Sequence, residues 1–329
     1  MNTLHLFGCS YRARVLCRIV KRQKTQSQTS TQTVQLCSQR GDVQAASPAT
    51  HQSMPYQKFT CSWLQMIIQL VLPIFTQALM KGAGSTSGAA CEDLVAMNTT
   101  WWYDWTPDRH GGVCNSTSGF VPMIWGTDDI AKLARVDRTA DALLGFNEPD
   151  NCNGQSCISV DEAVSLWPKL RATGMRLGSP AVTTGGGDWL GNFLYRVGCG
   201  PKATPPCQVD FLALHYYGAC DAQSFYDFLE AWRRPYPDLP LWVTEFSCPS
   251  FSSPGTVKAN LEFMQTALPR LASAAPTLER YAWFATRTYA NKGSTTGYEN
   301  TTLYKDCGVG CQGEEALTEL GRAYARIRP

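Results

Sequence analysis

Histidine is scarce in this 329-residue chain: there are four, and only His110 and His215 lie beyond residue 81. No Cys-x-x-Cys pair occurs. These shortages remove the usual zinc ligand sets, so no metal is expected; the two-carboxylate chemistry read below requires no organic cofactor either. Acid is nearly missing from the first 81 residues, which carry nine Lys or Arg and Asp42 alone. Basic runs are missing from the remainder, which holds 20 basic and 26 acidic residues, a formal charge of −6. The whole-chain value of +2 therefore hides two unlike parts. An acidic body without basic stripes argues against nucleic acid as a partner. Large apolar residues are too few in the Gln-, Ser- and Thr-rich stretch from 25 to 53 to build a core.

One long uncharged run is present, Phe59 to Met80, with Lys58 before it and Ala78, Gly82, Ala83 and Gly84 at its end. It reads as a secretory signal whose true start is Met54, making 54–84 a leader and 1–53 a disordered or mis-assigned upstream segment. A signal-anchor is the alternative, and membrane contact is expected only if residues 59–80 stay uncleaved. Pro73 and three glutamines in the run weigh against a span. The Arg-rich start could also mimic an organelle transit peptide. Ten of the 14 cysteines lie beyond residue 81, an even number that reads as disulfides in an oxidising compartment. Short spacings point to local links Cys152–Cys157, Cys199–Cys207 and Cys307–Cys311. Sequons at Asn98, Asn115 and Asn300 fit the same secreted or cell-wall setting.

From Cys91 onward, apolar runs alternate with helical patterns, the signature of an α/β protein. Strands are expected at 94–97, 120–125, 142–146, 176–182, 210–215, 239–246 and 280–285, with an eighth at 303–304. A capping box at Ser159-Val160-Asp161-Glu162 opens a helix through Leu170. Asp221 caps a helix over 223–232, a third follows Pro254-Gly255-Thr256 to Ala272, and a terminal one covers 314–327. The 248 residues beyond 81 match one (β/α)8 barrel, typically ~250. A single monomeric domain over 91–329 is the expectation.

Two segments carry the chemistry. Gly145-Phe146-Asn147-Glu148-Pro149-Asp150 and Trp242-Val243-Thr244-Glu245-Phe246 each end an apolar strand on a carboxylate. Reacting groups of parallel barrels sit at the C-terminal strand ends. Glycoside cleavage needs two carboxyl groups facing each other across the bond. Asn147 adds an amide able to bond a sugar 2-hydroxyl, while either glutamate alone would pass for an ordinary strand-end acid. Aromatic residues at the same strand ends, including Trp105, Trp125, Trp189, Tyr217, Phe246 and Trp283, suit the flat faces of sugar rings. Packing is an equal reading for Trp242 and Trp283, and the better one for Trp167 and Trp232. Trp101, Trp102 and Trp105 cannot share one strand face, because side chains alternate. His215, at a strand exit, is placed to orient Glu245 or touch a sugar hydroxyl.

The block 144–150, with Phe120-Val121-Pro122-Met123-Ile124-Trp125-Gly126, Gly178-Ser179-Pro180-Ala181, Trp242 to Phe246 and Leu317 to Tyr324, resembles glycoside hydrolase family 128. The resemblance spans roughly residues 91 to 327. It implies a (β/α)8 barrel that cleaves β-1,3-glucan of fungal cell-wall type with retention, as an endo-β-1,3-glucanase. Glu148 is then the acid/base and Glu245 the nucleophile, with Asn147, Trp125, His215 and Tyr217 beside the substrate. The like charge of Glu245 is expected to raise the Glu148 pKa. A non-catalytic glucan-binding wall protein and a transglycosylase are the rival readings. In the wider clan the acids follow strands four and seven, whereas the strands read here place them after three and six. Either a strand between Asp128 and Asp141 is missing from the reading, or the barrel is irregular at its start.

Overall fold

The computed structural model describes residues 78–85, 91–108, 119–200, 206–287, 297–305 and 311–328. The reading of residues 1–53, most of the apolar run, the Asn115 sequon, His110 and Cys307 lie outside them. Among the described residues, no helix is long and apolar enough to cross a membrane.

Five strands form one parallel sheet: β1 (Met80–Gly84), β2 (Trp101–Tyr103), β3 (Leu212–Tyr216), β4 (Leu241–Phe246) and β5 (Leu278–Trp283), in the order β2-β1-β5-β4-β3. Three further segments join by single parallel bridges. Trp102 pairs with Phe120, Met123 with Leu144, Leu143 with Leu177, Asn147 with Ala181, and Gly178 with Phe211. Helices fill the connections: α1 (Cys91–Ala96), α2 (Val160–Arg171), α3 (Gly187–Arg196), α4 (Ala222–Arg233), α5 (Val257–Ala267), the short α6 (Leu271–Ala274) and α7 (Glu319–Arg326).

The helix starts follow their side chains. Ser159, Asp221, Thr256 and Thr318 each accept a hydrogen bond from the backbone three residues on, satisfying an amide that has no intrahelical partner. The terminal helix is therefore shorter than expected, beginning at Thr318 after a 3-10 turn at Glu314–Ala316.

Three expectations need correcting. Residues 94–97 lie at the end of helix α1 and just past it, not in a strand. Tyr304 pairs with Leu317 antiparallel, outside the parallel set. Strand β1 lies inside the stretch read as leader, so the folded domain starts before Cys91. The small residues Gly82, Ala83 and Gly84, read as the end of a leader, belong to this strand, and so does Lys81. That lysine is fully buried, and its Nζ donates to Tyr324 O and Ile327 O at 2.8 Å each. Burial, with the Arg328 charge as a lesser cause, pushes its pKa down to about 8. A lysine at the carbonyl end of α7 also suits the helix dipole.

Strand alternation sorts the core into two. Trp101, Tyr103, Met123, Leu144, Phe211 and Trp242 belong to an inner cluster. Trp102, Phe120, Leu143, Val243 and Tyr281 pack with the helices. Gly82 is required by the inner packing, because a Cβ there would lie 2.2 Å from the Trp101 indole. Gly82→Ala is expected to destabilise by about 2 kcal/mol through overpacking, lowering Tm by about 4–8 °C. A thermal scan matching wild type would contradict this packing.

Disulfides join Cys152–Cys157, Cys199–Cys207 and Cys220–Cys248. The first two were legible from spacing; the third spans 28 residues and was not. Asn98 is exposed, whereas Asn300 donates its side-chain amide to Cys248 O at 3.0 Å.

Candidate active site

Glu148, Glu245 and His215 meet at the C-terminal ends of the parallel strands, with one donor atom from each within 4.8 Å of the others. All three are nearly buried. Local irregularities of the backbone bring them together. The β3–β4 register slips after Leu214, so that His215 pairs with Glu245 rather than with Thr244. Such a bulge re-aims side chains. Glu148 has φ of +41° and Trp105 of +60°, a left-handed conformation that costs a non-glycine residue about 1–3 kcal/mol. The turn at Glu148 is held by its N–H donating to Ala181 O at 2.7 Å and by Asn151 N–H donating to Glu148 O at 3.0 Å.

Two donors converge on Glu245, and a third group shares its proton with it. Trp105 Nε1 donates to Oε1 at 3.0 Å and Tyr217 Oη to Oε2, while the single Tyr103 hydroxyl proton lies between Thr244 O at 2.9 Å and Glu245 Oε1 at 3.3 Å. Burial, then the Glu245 charge, pushes both tyrosine pKa values well up, so each phenol keeps the proton it donates. On the other side, His215 Nδ1 lies 3.0 Å from Glu148 Oε1 and 3.6 Å from Glu245 Oε2. Asn151 Nδ2 donates to Glu148 Oε2 at 3.5 Å.

The electrostatics correct one expectation. Burial pushes the Glu148 carboxyl up, but the His215 bond and charge, with Asn151, outweigh it and leave the group below its ordinary value. Burial pushes His215 down, but Glu245 and Glu148 outweigh that and hold the imidazole above its ordinary value. A cation between two carboxylates thus replaces the direct repulsion that would have raised Glu148. The Glu148–His215 pair titrates as a unit, with the resting proton on the imidazole side. Internal donors already occupy the oxygens of both carboxylates, a pattern of proton sharing rather than of open metal coordination.

Not every residue proposed from sequence arrives here. Asn147, Trp105, His215 and Tyr217 do, and half-buried Trp125 packs with Trp105 on the inner cluster. Phe246 and Trp283 do not. Both are fully buried among the helix-facing residues, 5.1 Å apart by ring centroid, with the Trp283 indole donating to Thr301 O. Alternation accounts for Trp283, which faces the helices beside inward Ala282. In β4 the register slips between Val243 and Phe246, which turns Glu245 inward and Phe246 out, against the alternation set by inward Trp242. Phe284 takes the place given to Trp283, 6.0 Å from the Trp105 ring and 5.9 Å from Tyr217. Trp189 is also displaced. It lies in helix α3, stacks on Phe193 and donates to Ile158 O. Tyr103, Asn151 and Phe284 were missed as site residues. Tyr103 sits beside the tryptophans already singled out, two positions before Trp105 on the inward face, which was the available cue.

Residues 82–324 match the glycosyl hydrolase catalytic core family. Among solved structures, a family 128 subgroup I endo-β-1,3-glucanase from Amycolatopsis mediterranei, in complex with laminaritriose, is 30% identical, with a TM-score of 0.62 over 76% of this chain and 99% of that one. A subgroup III curdlan-specific exo-β-1,3-glucanase from Blastomyces gilchristii, in complex with glucose, is 29% identical, with a TM-score of 0.56 over 75% and 98%. Alkali-sensitive linkage protein 1 of Schizosaccharomyces pombe is 26% identical over 240 residues, 71% of this chain; the match spans 41% of that relative's length.

Proposed function

The chain belongs to the glycosyl hydrolase catalytic core family, among the family 128 enzymes, and from that membership we propose that it is a retaining endo-β-1,3-glucanase. The observation that carries the mechanism is that one carboxylate oxygen of Glu148 and one of Glu245 lie within 4.8 Å of each other. Such a close pair favours the retaining arrangement, with carboxyl groups ~5–5.5 Å apart, over the inverting one, which keeps them ~6.5–9.5 Å apart to admit a water. The scaffold is a (β/α)8 barrel. This reading is supported by the run of parallel pairings from β2 through the three bridged segments to β3, the opposite edge of the five-stranded order. Counted from β1, Glu148 follows the fourth member and Glu245 stands at the end of the seventh, the placement expected of the clan.

In the first step Glu245 Oε attacks the anomeric carbon while the leaving oxygen takes a proton from Glu148. His215 stores that proton 3.0 Å away and returns it to Glu148 as the glycosidic bond stretches. Once Glu245 is esterified its charge is gone, and Glu148 with His215 accepts the proton of the incoming water. The donors on Glu245 hold the carboxylate for attack, and the rings of Trp105, Phe284 and Tyr217 cluster beside it. Two chemistry-bearing glutamates and Asn147, all in place, favour an enzyme over a binding protein. The even set of cysteines and the exposed Asn98 sequon support a secreted or wall-borne protein.

Laminarin and laminarihexaose are the test substrates. Internal cleavage giving di- and trisaccharides early is expected; glucose alone would indicate exo action, and longer chains from excess acceptor would indicate transfer. The pH profile tests the proton store. A raised imidazole pKa keeps the proton up to a pH above the ordinary histidine value of ~6.5, and activity is lost as pH rises through it. His215→Asn is expected to lower kcat and move the alkaline limb toward lower pH. An unchanged limb would remove His215 from the proton path.

A further inference from the structure

The ten residues after Glu148 form a loop closed on itself by Cys152–Cys157. Both cysteines are exposed, yet two polar side chains of the loop turn back into the site. Asn151 bonds Glu148, as described. Gln155 Oε1 accepts from Asn147 Nδ2 at 3.1 Å. The base of the loop is fastened by Ile158 N–H donating to Pro149 O at 2.9 Å and by the Trp189 indole donating to Ile158 O at 3.0 Å. Its flank rests on the turn after Trp125, where Ser156 Cβ lies 3.4 Å from the position a Gly126 Cβ would take.

Asn147 is 3% exposed. With Nδ2 bound to Gln155, its Oδ1 is left buried without a partner. A buried acceptor with no donor is costly, and in a native site it calls for an explanation. A carboxamide can present either its oxygen or its nitrogen in nearly the same place, so something must choose. Here Gln155 presents its oxygen, and the Asn147 Nδ2 donates to it at 3.1 Å. We infer that Gln155 is a positioning residue: held by the Cys152–Cys157 loop, it fixes the Asn147 amide so that Oδ1 receives a hydroxyl proton of the sugar being cleaved. The inference rests on the glucanase reading above. Asn147 is the residue that touches substrate; Gln155 acts through it. Sequence reasoning saw the disulfide and Asn147 separately, and nothing linked them.

The test is a double-mutant cycle on the full chain with Asn147→Ala, Gln155→Ala and the combination, assayed on laminarihexaose. Gln155→Ala is expected to lower kcat by about 10- to 100-fold, the scale of a misplaced contact, while KM changes little. A loss in kcat without a rise in KM marks an interaction made in the transition state. In the Asn147→Ala background the same substitution is expected to cost almost nothing, because the group it positions is gone. Cys152→Ser/Cys157→Ser is expected to reproduce part of the Gln155→Ala loss with unchanged far-UV circular dichroism. Additive losses, or a Gln155→Ala enzyme with wild-type kcat, would overturn the assignment. If wild type releases no sugar, the glucanase reading fails instead. The cycle is then read in laminarihexaose affinity, where non-additivity supports the pairing and additivity refutes it.

Discussion

Replacing Glu245 by alanine is expected to lower turnover on laminarihexaose by about 10⁴-fold or more, the scale seen when a nucleophile is removed. The fold should survive, because the side chain lies at a strand end and its loss opens a small polar cavity rather than a hole in the apolar core. The donors that served the carboxylate remain, Trp105 Nε1 and Tyr217 Oη, with Tyr103 Oη beside them. They make the vacated space suited to a small anion, so azide should restore part of the rate when the substrate carries an activated leaving group. Azide attacking from the Glu245 face displaces the leaving group from the opposite side, giving the α-glycosyl azide and the free leaving group. Recovery of that product would identify Glu245 as the nucleophile. Rescue giving the β-azide would place azide on the wrong face and reverse the assignment.

Glu148→Gln should show the complementary pattern. Loss of a general acid costs about 10²–10⁴-fold where the leaving group needs a proton, as a sugar hydroxyl does. With a dinitrophenyl leaving group that need disappears, so the first step should stay close to wild type and the glycosyl-enzyme should accumulate, because water lacks its base. Azide needs no base, so it should speed the second step and give the β-azide. Opposite anomers from the two variants would separate the two roles cleanly. Equal losses on glucan and on the dinitrophenyl substrate would instead mean that Glu148 works by charge or position alone. His215, only 3.0 Å from Glu148, makes the split sharper. In the glutamine variant the imidazole keeps its place beside Glu245 but has no carboxyl at position 148 through which to pass a proton to the leaving group.

Much of this site was legible in the chain, for physical reasons that also mark where reading stops. Apolar runs ending in Asn147-Glu148 and in Glu245 announce themselves because a buried strand tolerates acids only at its end. Trp105, Tyr217 and His215 were found on the same logic. Trp283 was misassigned because neighbours along a strand point to opposite faces, and Phe246 because the register slip before it in β4 reverses the alternation that Trp242 sets. Phe284, one place further on, was the correct choice. Strand β1 was hidden because the apolar run and the small residues Gly82, Ala83 and Gly84 look like a leader and its cleavage site; only the fold shows the Lys81 ammonium capping the end of α7. Its absence from the reading explains why the acids seemed one strand early. The slip that sets His215 against Glu245, and the left-handed turn at Glu148, are backbone events with no composition signal. Gln155 was unreadable for a related reason, since a disulfide loop folds it back onto Asn147 eight positions earlier.

The most direct test of the central claim is the anomer released first from laminarihexaose, followed by proton NMR from the moment of enzyme addition. Double displacement through Glu245 predicts the β anomer at once, with the α anomer appearing only at the rate of mutarotation. An α anomer formed first would mean single displacement by water, and the paired roles given to Glu148 and Glu245 would be wrong.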